Sequence, residues 1–168
     1  VAHLFFWNWS NPTEYRFMSL RLDEMLTQNP KAELKYQWVD YQYISAHLKR
    51  AVVAAEDDRF MQHHGFDMRG IEQALKKNQR KGASVAGGSS ITQQLAKNLF
   101  LSPSRSYVRK AQEAVIALMI EFLWDKRRIL EVYLNVVEWG NGVFGAEAAA
   151  RHYYRVPASQ IGPSAAAR

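Results

Sequence analysis

Hydrophobic residues recur along most of the chain at spacings of three and four, the repeat of an amphipathic α-helix. Seven helices are predicted, over residues 12–29, 45–55, 68–78, 91–98, 107–124, 129–137 and 145–154. The first predicted helix ends at Asn29-Pro30, and Ser45 is placed to cap the second. Extended structure is predicted only over residues 35–43, where aromatic residues alternate with polar ones. The pattern therefore predicts an all-α (mainly α) fold.

The predicted helix over 107–124 is apolar on nearly all sides. Its apolar positions fall on two faces, one with Val108, Val115, Leu118 and Phe122 and another with Ile116 and Ile120. A helix that is hydrophobic all round is normally buried. We therefore expect this helix to be the central, buried helix of the fold.

Length and composition limit the class of protein. The chain has 168 residues, of which 48% are hydrophobic, so we expect one domain over 1–168 with a sizeable core. The absence of cysteine excludes disulfides, a thiolate metal site and a cysteine nucleophile. The net charge of +6 and a pI near 9.6 favour an anionic partner: nucleic acid, anionic lipid or a phosphorylated substrate.

The start of the chain is strongly aromatic over Leu4-Phe5-Phe6-Trp7-Asn8-Trp9. No window reaches the ~18 consecutive apolar residues that a membrane-spanning helix needs. Two interpretations stay open for this segment. It is either the interfacial end of a removed membrane anchor, since Trp favours the headgroup region, or an ordinary buried first segment.

The first candidate for chemistry is Glu56, which directly follows the apolar run Val52-Val53-Ala54-Ala55. A carboxylate at the end of a buried apolar helix loses hydration and can then exchange a proton near neutral pH. An ion pair with Arg59 at the helix end is the structural alternative. His63, nearby, has no metal-binding spacing and is predicted to be structural.

The second candidate is a loop rich in Gly and Ser that leads into the helix at Ile91. Such a loop presents free backbone N–H groups at a helix N-terminus, which suits an anion. It is not a nucleotide-binding P-loop, because Gly88 stands where the phosphate-binding lysine is required. Lys97 and Arg105 could together hold a diphosphate. The alternative is a flexible loop with surface cations.

The third candidate is Glu113, which shares a helix face with apolar residues. A buried carboxylate is costly unless it is paired, so Glu113 needs a partner or a chemical task. Arg109, four residues earlier, is the structural partner. Two carboxylates in apolar settings together with cations also suggest glycosidic-bond chemistry.

Five motifs in order along residues 36–166 resemble the peptidoglycan glycosyltransferase family, family 51, and specifically its monofunctional biosynthetic members. The motifs are Glu56-Asp57-x-x-Phe60-x-x-His63-x-Gly65, Gly88-Ser89-Ser90-Ile91-x-Gln93-Gln94-x-x-Lys97-Asn98, Arg109-Lys110-x-x-Glu113, Ile129-Leu130-Glu131-x-Tyr133-Leu134-Asn135 and Gly142-x-x-Gly145-x-x-x-Ala149-Ala150-x-x-Tyr153-Tyr154. Two mild departures occur: Ser90 stands where threonine is usual, and Tyr154 where phenylalanine is usual.

The resemblance implies a lysozyme-like fold with two lobes and a cleft, and an enzyme that polymerises lipid II with inversion into β-1,4-linked glycan. Glu56 would be the general base and Glu113 the second essential carboxylate. The substrate-binding residues would be Ser89, Gln94, Lys97, Arg105 and Arg109. A divalent cation (Mg or Mn) would assist, with no organic cofactor and no metal ligands yet identifiable.

The resemblance also implies a cellular location and a set of partners. It places the enzyme at the bacterial cytoplasmic (inner) membrane, single-pass, with its catalytic domain on the periplasmic face and an N-terminal anchor removed from this chain. Its partners would be lipid II, the growing glycan strand, the membrane and cell-wall synthesis or division proteins, and not nucleic acid.

Two other classes stay open on the residues alone. A lysozyme or lytic transglycosylase would share the fold class and the first carboxylate, but would not need Lys97 and Arg105. A non-catalytic anion binder would show a steep salt dependence and would not depend on Glu56.

Overall fold

The computed structural model describes residues 2–81, 88–104 and 106–168, and within them the chain is mainly helical, which confirms the predicted class. The described helices are α1 (Ala2–Trp7), α2 (Arg16–Gln28), α3 (Ala46–Glu56), α4 (Met68–Lys81), α5 (Ile91–Phe100), α6 (Tyr107–Leu123), α7 (Lys126–Val136), α8 (Ala146–Tyr154) and α9 (Pro163–Ala166). The described strands are β1 (Lys35–Tyr36), β2 (Glu138–Gly140) and β3 (Val143–Phe144). All seven predicted helices are present, with ends within a few residues of their predicted positions.

Helix α5 lies at the centre of the fold. Ile91, Leu95 and Leu99 are buried along it, and the helix packs against α2, α6 and α7. Its N-terminus is fixed by a capping box: the Ser90 hydroxyl accepts from the backbone N–H of Gln93, whose side chain accepts from the backbone N–H of Ser90. The loop motif that the sequence singled out therefore leads directly into the buried centre of the molecule.

The prediction that α6 is buried on all sides is wrong. Its inward face consists of Glu113, Ala117 and Ile120, which pack towards α5. The face with Val108, Val115, Leu118 and Phe122 is exposed, and Phe122 reaches 89% exposure. The central position is taken by the shorter and more polar α5, so one apolar side of α6 has no covering element among the described residues.

A small sheet was only partly predicted. β1 pairs in parallel with β3, and β3 pairs in antiparallel with β2. The predicted extended segment over 35–43 is a strand only at Lys35–Tyr36, and Tyr41–Tyr43 forms a 3₁₀ turn instead. The β2–β3 hairpin was not predicted from the sequence. It turns at Asn141-Gly142, where Gly142 has a φ of 75°, a conformation that glycine adopts without strain.

The N-terminal segment is buried on one side and exposed on the other. Leu4 and Trp7 are buried, and the Trp124 indole N–H donates to the Leu4 carbonyl at 2.7 Å. Phe6 and Trp9, from the same segment, are exposed. Among the described residues, no helix is long and apolar enough to cross a membrane.

Candidate active site

Glu56 is the last residue of α3, and it is exposed. The expected loss of hydration at this carboxylate is therefore wrong, and Glu56 forms no ion pair with Arg59 among the described residues. The reason is that α3 buries Leu48 and Val52, but its last turn passes the edge of the core. There the carboxylate lines an open groove of about 380 Å³.

The buried carboxylate at this corner is the next residue, Asp57. One of its oxygens, Oδ2, accepts from His63 Nε2 at 2.7 Å and from the backbone N–H of Ile91 at 3.0 Å. The His63 Nδ1 accepts in turn from the backbone N–H of Gly65. Asp57 thereby holds the end of α3 against the start of α5, which confirms the predicted structural role of His63.

Gln94 connects Glu56 to the interior of the fold. Its side-chain N–H donates to Glu56 Oε2 at 3.1 Å, while its carbonyl oxygen accepts from the Tyr133 hydroxyl at 2.9 Å. Burial, with smaller contributions from the carboxylates of Glu56 and Asp57, raises the pKa of Tyr133, so its hydroxyl stays a donor. This chain fixes the orientation of the Gln94 amide and leaves Glu56 Oε1 without a hydrogen bond to the described residues.

Glu113 is buried, at 2% exposure of its side chain, and it has two cationic partners. Arg109 Nη1 lies 2.9 Å from one carboxylate oxygen and Lys110 Nζ lies 2.8 Å from the other. The predicted Arg109 partner is confirmed, and Lys110 is added. The Nε–H of Arg109 is enclosed and has no acceptor among the described residues.

Ser89 joins the two carboxylate sites. Its hydroxyl accepts from Lys110 Nζ at 2.8 Å, and its carbonyl oxygen lies 3.5 Å from the Gln94 amide nitrogen. An unbroken series of polar contacts therefore runs from Glu56 through Gln94 and Ser89 to the cations around Glu113. The structure brings together five of the seven predicted site residues in this series: Glu56, Ser89, Gln94, Arg109 and Glu113.

Lys97 makes no hydrogen bond within this series. Lys97 lies one helical turn after Gln94 on α5, is half-buried, and its ammonium makes no hydrogen bond or ion pair with the described residues. Arg105 lies outside the described residues, as does the loop segment 82–87. An ammonium without a partner among the described residues is suited to a negatively charged ligand group.

Three contributors to the site were not predicted as functional: Lys110, Tyr133 and Asp57. Lys110 stands three residues before Glu113, and this spacing places both residues on one face of the helix. The spacing could therefore have identified Lys110 as a second partner of Glu113. Tyr133 belongs to the fourth motif, and only the tertiary structure shows that its hydroxyl reaches Gln94. Among the described residues, no group of three or more His, Asp or Glu side chains is placed to hold a metal ion.

Comparison with known proteins gives one consistent result. The sequence profile of the Transglycosylase family matches residues 23–168. The chain is 67% identical to the biosynthetic peptidoglycan transglycosylase of Azoarcus sp. (strain BH72), over 99% of this chain and 72% of that protein. It is 64% identical to the protein of the same description in Dechloromonas aromatica (strain RCB), over 96% and 70%, and 66% identical to that of Aromatoleum aromaticum, again over 96% and 70%.

Proposed function

Because this chain belongs to the peptidoglycan transglycosylase family, we propose that lipid II is its substrate and that Glu56 is its general base. The enzymes of this family are glycosyltransferases that form glycan strands in cell-wall synthesis. The observation that carries this proposal is the series of polar contacts from the groove carboxylate Glu56 to the cations around Glu113. It joins an exposed carboxylate to a group of cations through two intervening residues, Gln94 and Ser89.

The proposed reaction is a displacement with inversion. The 4-hydroxyl oxygen of the acceptor's terminal GlcNAc attacks the anomeric carbon of the donor's MurNAc, and its proton passes to the Glu56 carboxylate. The bond from that carbon to the diphosphate oxygen breaks, and the electron pair leaves with undecaprenyl diphosphate. Gln94 holds one carboxylate oxygen, which leaves Oε1 to accept the proton.

The departing diphosphate is proposed to bind on the side of α5 and α6. Lys97 has an ammonium with no partner among the described residues, and Arg109 has an Nε–H without an acceptor there. Donors held in place before the reaction stabilise charge that develops on a leaving group. Glu113 keeps Arg109 and Lys110 together, and Arg105, from the adjoining loop, is proposed as a further cation.

The expected divalent cation stays a prediction. Both oxygens of Glu113 are engaged by cations, so the described side chains do not by themselves fit a metal ion, and no step is assigned to one. Polymerisation assayed with EDTA, and then with Mg²⁺ or Mn²⁺ restored, tests the prediction. Recovery of activity is the expected result.

The enzyme is proposed to act at the periplasmic face of the bacterial inner membrane, held by a single membrane-spanning anchor. The exposed apolar side of α6 and the exposed aromatic residues of the N-terminal segment support contact with lipid, since Trp and Phe favour the interface. The anchor itself, and any cell-wall synthesis or division proteins as partners, are carried over from the resemblance alone.

One experiment separates synthesis from cleavage of glycan. The protein is incubated with fluorescent lipid II in detergent, and in parallel with finished peptidoglycan. We expect a ladder of glycan products from lipid II, no soluble fragments from peptidoglycan, and a rate at least tenfold lower for Lys97→Ala. Release of fragments from peptidoglycan, with Lys97→Ala unaffected, would instead establish a lytic enzyme.

A further inference from the structure

Three consecutive cations open helix α7, and the middle one is not neutralised. Lys126 Nζ lies 2.8 Å from Glu121 Oε1, and Arg128 Nη1 lies 2.8 Å from Glu131 Oε1. Arg127, between them, is exposed and forms no ion pair or hydrogen bond with the described residues. Its positive charge is therefore available to a ligand.

Glu131 explains why Arg127 has no partner on its own helix. The two residues are four apart, a spacing at which a glutamate and an arginine can pair. Both oxygens of Glu131 are engaged elsewhere: Oε1 accepts from Arg128, and Oε2 accepts from the backbone N–H of Tyr41 at 2.7 Å. Glu131 therefore fixes the position of Tyr41 instead of neutralising Arg127.

The ring of Tyr41 holds a second cation near Arg127. The Lys49 ammonium lies 3.9 Å from the centre of the ring, and the guanidinium carbon of Arg127 lies 5.0 Å from the same centre. Both distances are those of a cation–π contact. One Lys49 N–H donates to the Tyr41 carbonyl at 3.0 Å, so the ammonium keeps two donors for a ligand.

The charges of Lys49 and Arg127 repel each other without a counter-charge. Burial and, secondly, the charge of Arg127 lower the pKa of Lys49. Among the described residues, no carboxylate lies within ion-pair distance of either cation. A bound anion would relieve the repulsion. The several oxygens of a phosphate group can accept from a guanidinium and an ammonium together, so the pair suits this ligand.

The position of the pair indicates a phosphate that belongs to a membrane lipid. Arg128, at the same end of α7, donates to the Trp7 carbonyl at 2.6 and 3.0 Å and to the Ser10 carbonyl at 2.6 Å. The start of α7 therefore lies against the N-terminal segment, whose Phe6 and Trp9 are exposed. Such aromatic side chains favour the headgroup region of a bilayer, where cations also meet anionic lipids.

We propose that Lys49 and Arg127, spaced by the ring of Tyr41, bind the headgroup phosphate of an anionic phospholipid. This inference rests on the membrane contact of the proposed function. It adds a defined polar site to the apolar surface formed by α6 and the N-terminal segment. The site holds the enzyme on the bilayer and takes no part in the reaction at Glu56.

The test measures co-sedimentation with vesicles of phosphatidylglycerol and phosphatidylcholine, and with vesicles of phosphatidylcholine alone. Lys49→Gln and Arg127→Gln each remove charge-assisted hydrogen bonds, so each should lower affinity for the mixed vesicles about tenfold. Arg50→Gln is the matched control, because Arg50 is an exposed cation next to Lys49. We expect a change of at most about twofold for this control, since salt screens an exposed charge. The losses should be confined to the mixed vesicles.

A double substitution separates one site from diffuse attraction. If both cations hold the same phosphate, the loss of either removes most of the contribution, and the double variant should bind about as weakly as each single variant. Independent charges would instead multiply their effects. Tm is measured for every variant, and the exposed Arg127 provides a test that does not disturb the half-buried Lys49.

The proposal is overturned if both single variants bind the mixed vesicles as the parent does, or if Arg50→Gln loses as much affinity as they do. Titration with inorganic phosphate distinguishes the source of the ligand. Binding of phosphate that both substitutions abolish, with vesicle binding unchanged, would assign the site to a free phosphate and overturn the lipid assignment.

Failure of this site is distinguishable from failure of the proposed function. Vesicle binding that survives both substitutions would remove the phosphate site and leave the membrane contact intact. Absence of vesicle binding by the folded parent would overturn the membrane contact itself. Polymerisation in detergent, which contains no phospholipid bilayer, tests the function of Glu56 independently of both.

Discussion

Tyr133 orients a side chain of the proposed site. Its buried hydroxyl donates to the carbonyl of Gln94, and this leaves the amide N–H of Gln94 directed at Glu56. Because burial raises the pKa of Tyr133, the hydroxyl keeps its proton throughout the range in which the enzyme works. The orientation of Gln94 is therefore independent of pH there.

Tyr133→Phe removes the hydrogen bond that orients the Gln94 amide, with almost no change in side-chain volume. The loss of one hydrogen bond of about 1 kcal/mol predicts a fall in kcat of about fivefold, because the amide of Gln94 is then free to turn. Tyr154→Phe is the control, since its hydroxyl donates to the Ala165 carbonyl and to no other group of the described residues. Steady-state kinetics on lipid II checks the prediction, and equal kcat for Tyr133→Phe and the parent would contradict it.

Glu113 is expected to contribute to both stability and turnover. Glu113→Gln removes the buried counter-charge of Arg109 and Lys110 and should cost about 1.5–3 kcal/mol. In a domain of this size that lowers Tm by about 3–12 °C. Glu72→Gln breaks an exposed pair with Lys76 and should cost at most about 0.5 kcal/mol. A Tm for Glu113→Gln equal to that of Glu72→Gln would show that the buried pairs contribute nothing.

At the scale of residues, sequence reasoning predicted the environment of Glu113 but not that of Glu56. Glu56 and Asp57 are neighbours on the chain, yet the Asp57 side chain is buried and hydrogen-bonded whereas Glu56 is exposed in the groove. Periodicity locates the apolar face of α3, but it does not tell where the core ends along that face. That limit depends on α5, which is distant in sequence and approaches only in the folded protein.

At the scale of elements, the position of α5 depends on its N-terminal cap. The Ser90 hydroxyl accepts from the Gln93 N–H and donates to the Gly65 carbonyl at 2.6 Å, so one side chain joins α5 to the Asp57–His63 corner. Because α5 also carries Gln94 and Lys97, this cap positions the proposed site.

Ser90→Ala removes both bonds and should cost about 1–2 kcal/mol, together with a loss of polymerisation. Ser90→Thr retains the hydroxyl and should keep Tm and activity near those of the parent. Thermal unfolding and the lipid II assay are measured on the same preparations. If Ser90→Ala and Ser90→Thr behaved alike, the hydroxyl would not be what holds α5.

The elements themselves were predictable where they are long and missed where they are short. Every predicted helix is present because its periodicity extends over two turns or more. Strands β2 and β3 have only two or three residues, but their Asn141-Gly142 turn is a hairpin signal that the sequence did contain. The burial of α6 was not predictable from its composition, since an apolar face can meet either a core or a membrane.

At the scale of the whole molecule, the exposed apolar face of α6 ends beside the N-terminal segment. The exposed Phe122 precedes Leu123, whose carbonyl accepts from the Asn8 side chain of the N-terminal segment at 3.3 Å. Trp9, exposed at 80%, follows directly. The two elements that carry exposed aromatic residues are thus joined, and they present a surface suited to the headgroup region of a bilayer.

Replacing Leu118 and Phe122 with serine is expected to weaken binding to vesicles of anionic phospholipid at least fivefold, with Tm unchanged or raised, since neither side chain is buried. Tyr43→Ser, which removes an exposed aromatic from the 3₁₀ turn, is the control. Co-sedimentation with vesicles gives the measurement. Undiminished binding by the double variant would show that this surface does not contact lipid.

The central claim is that Glu56 is the base that activates the acceptor hydroxyl. The most direct measurement is polymerisation of fluorescent lipid II, resolved on a gel, by the parent, Glu56→Gln and Asp58→Asn. Asp58 is the matched control, because it is an exposed carboxylate two residues away and its substitution removes the same charge. We predict a glycan ladder from the parent and from Asp58→Asn and none from Glu56→Gln, with Tm of all three within a few degrees. A ladder from Glu56→Gln at the parent's rate would contradict the account.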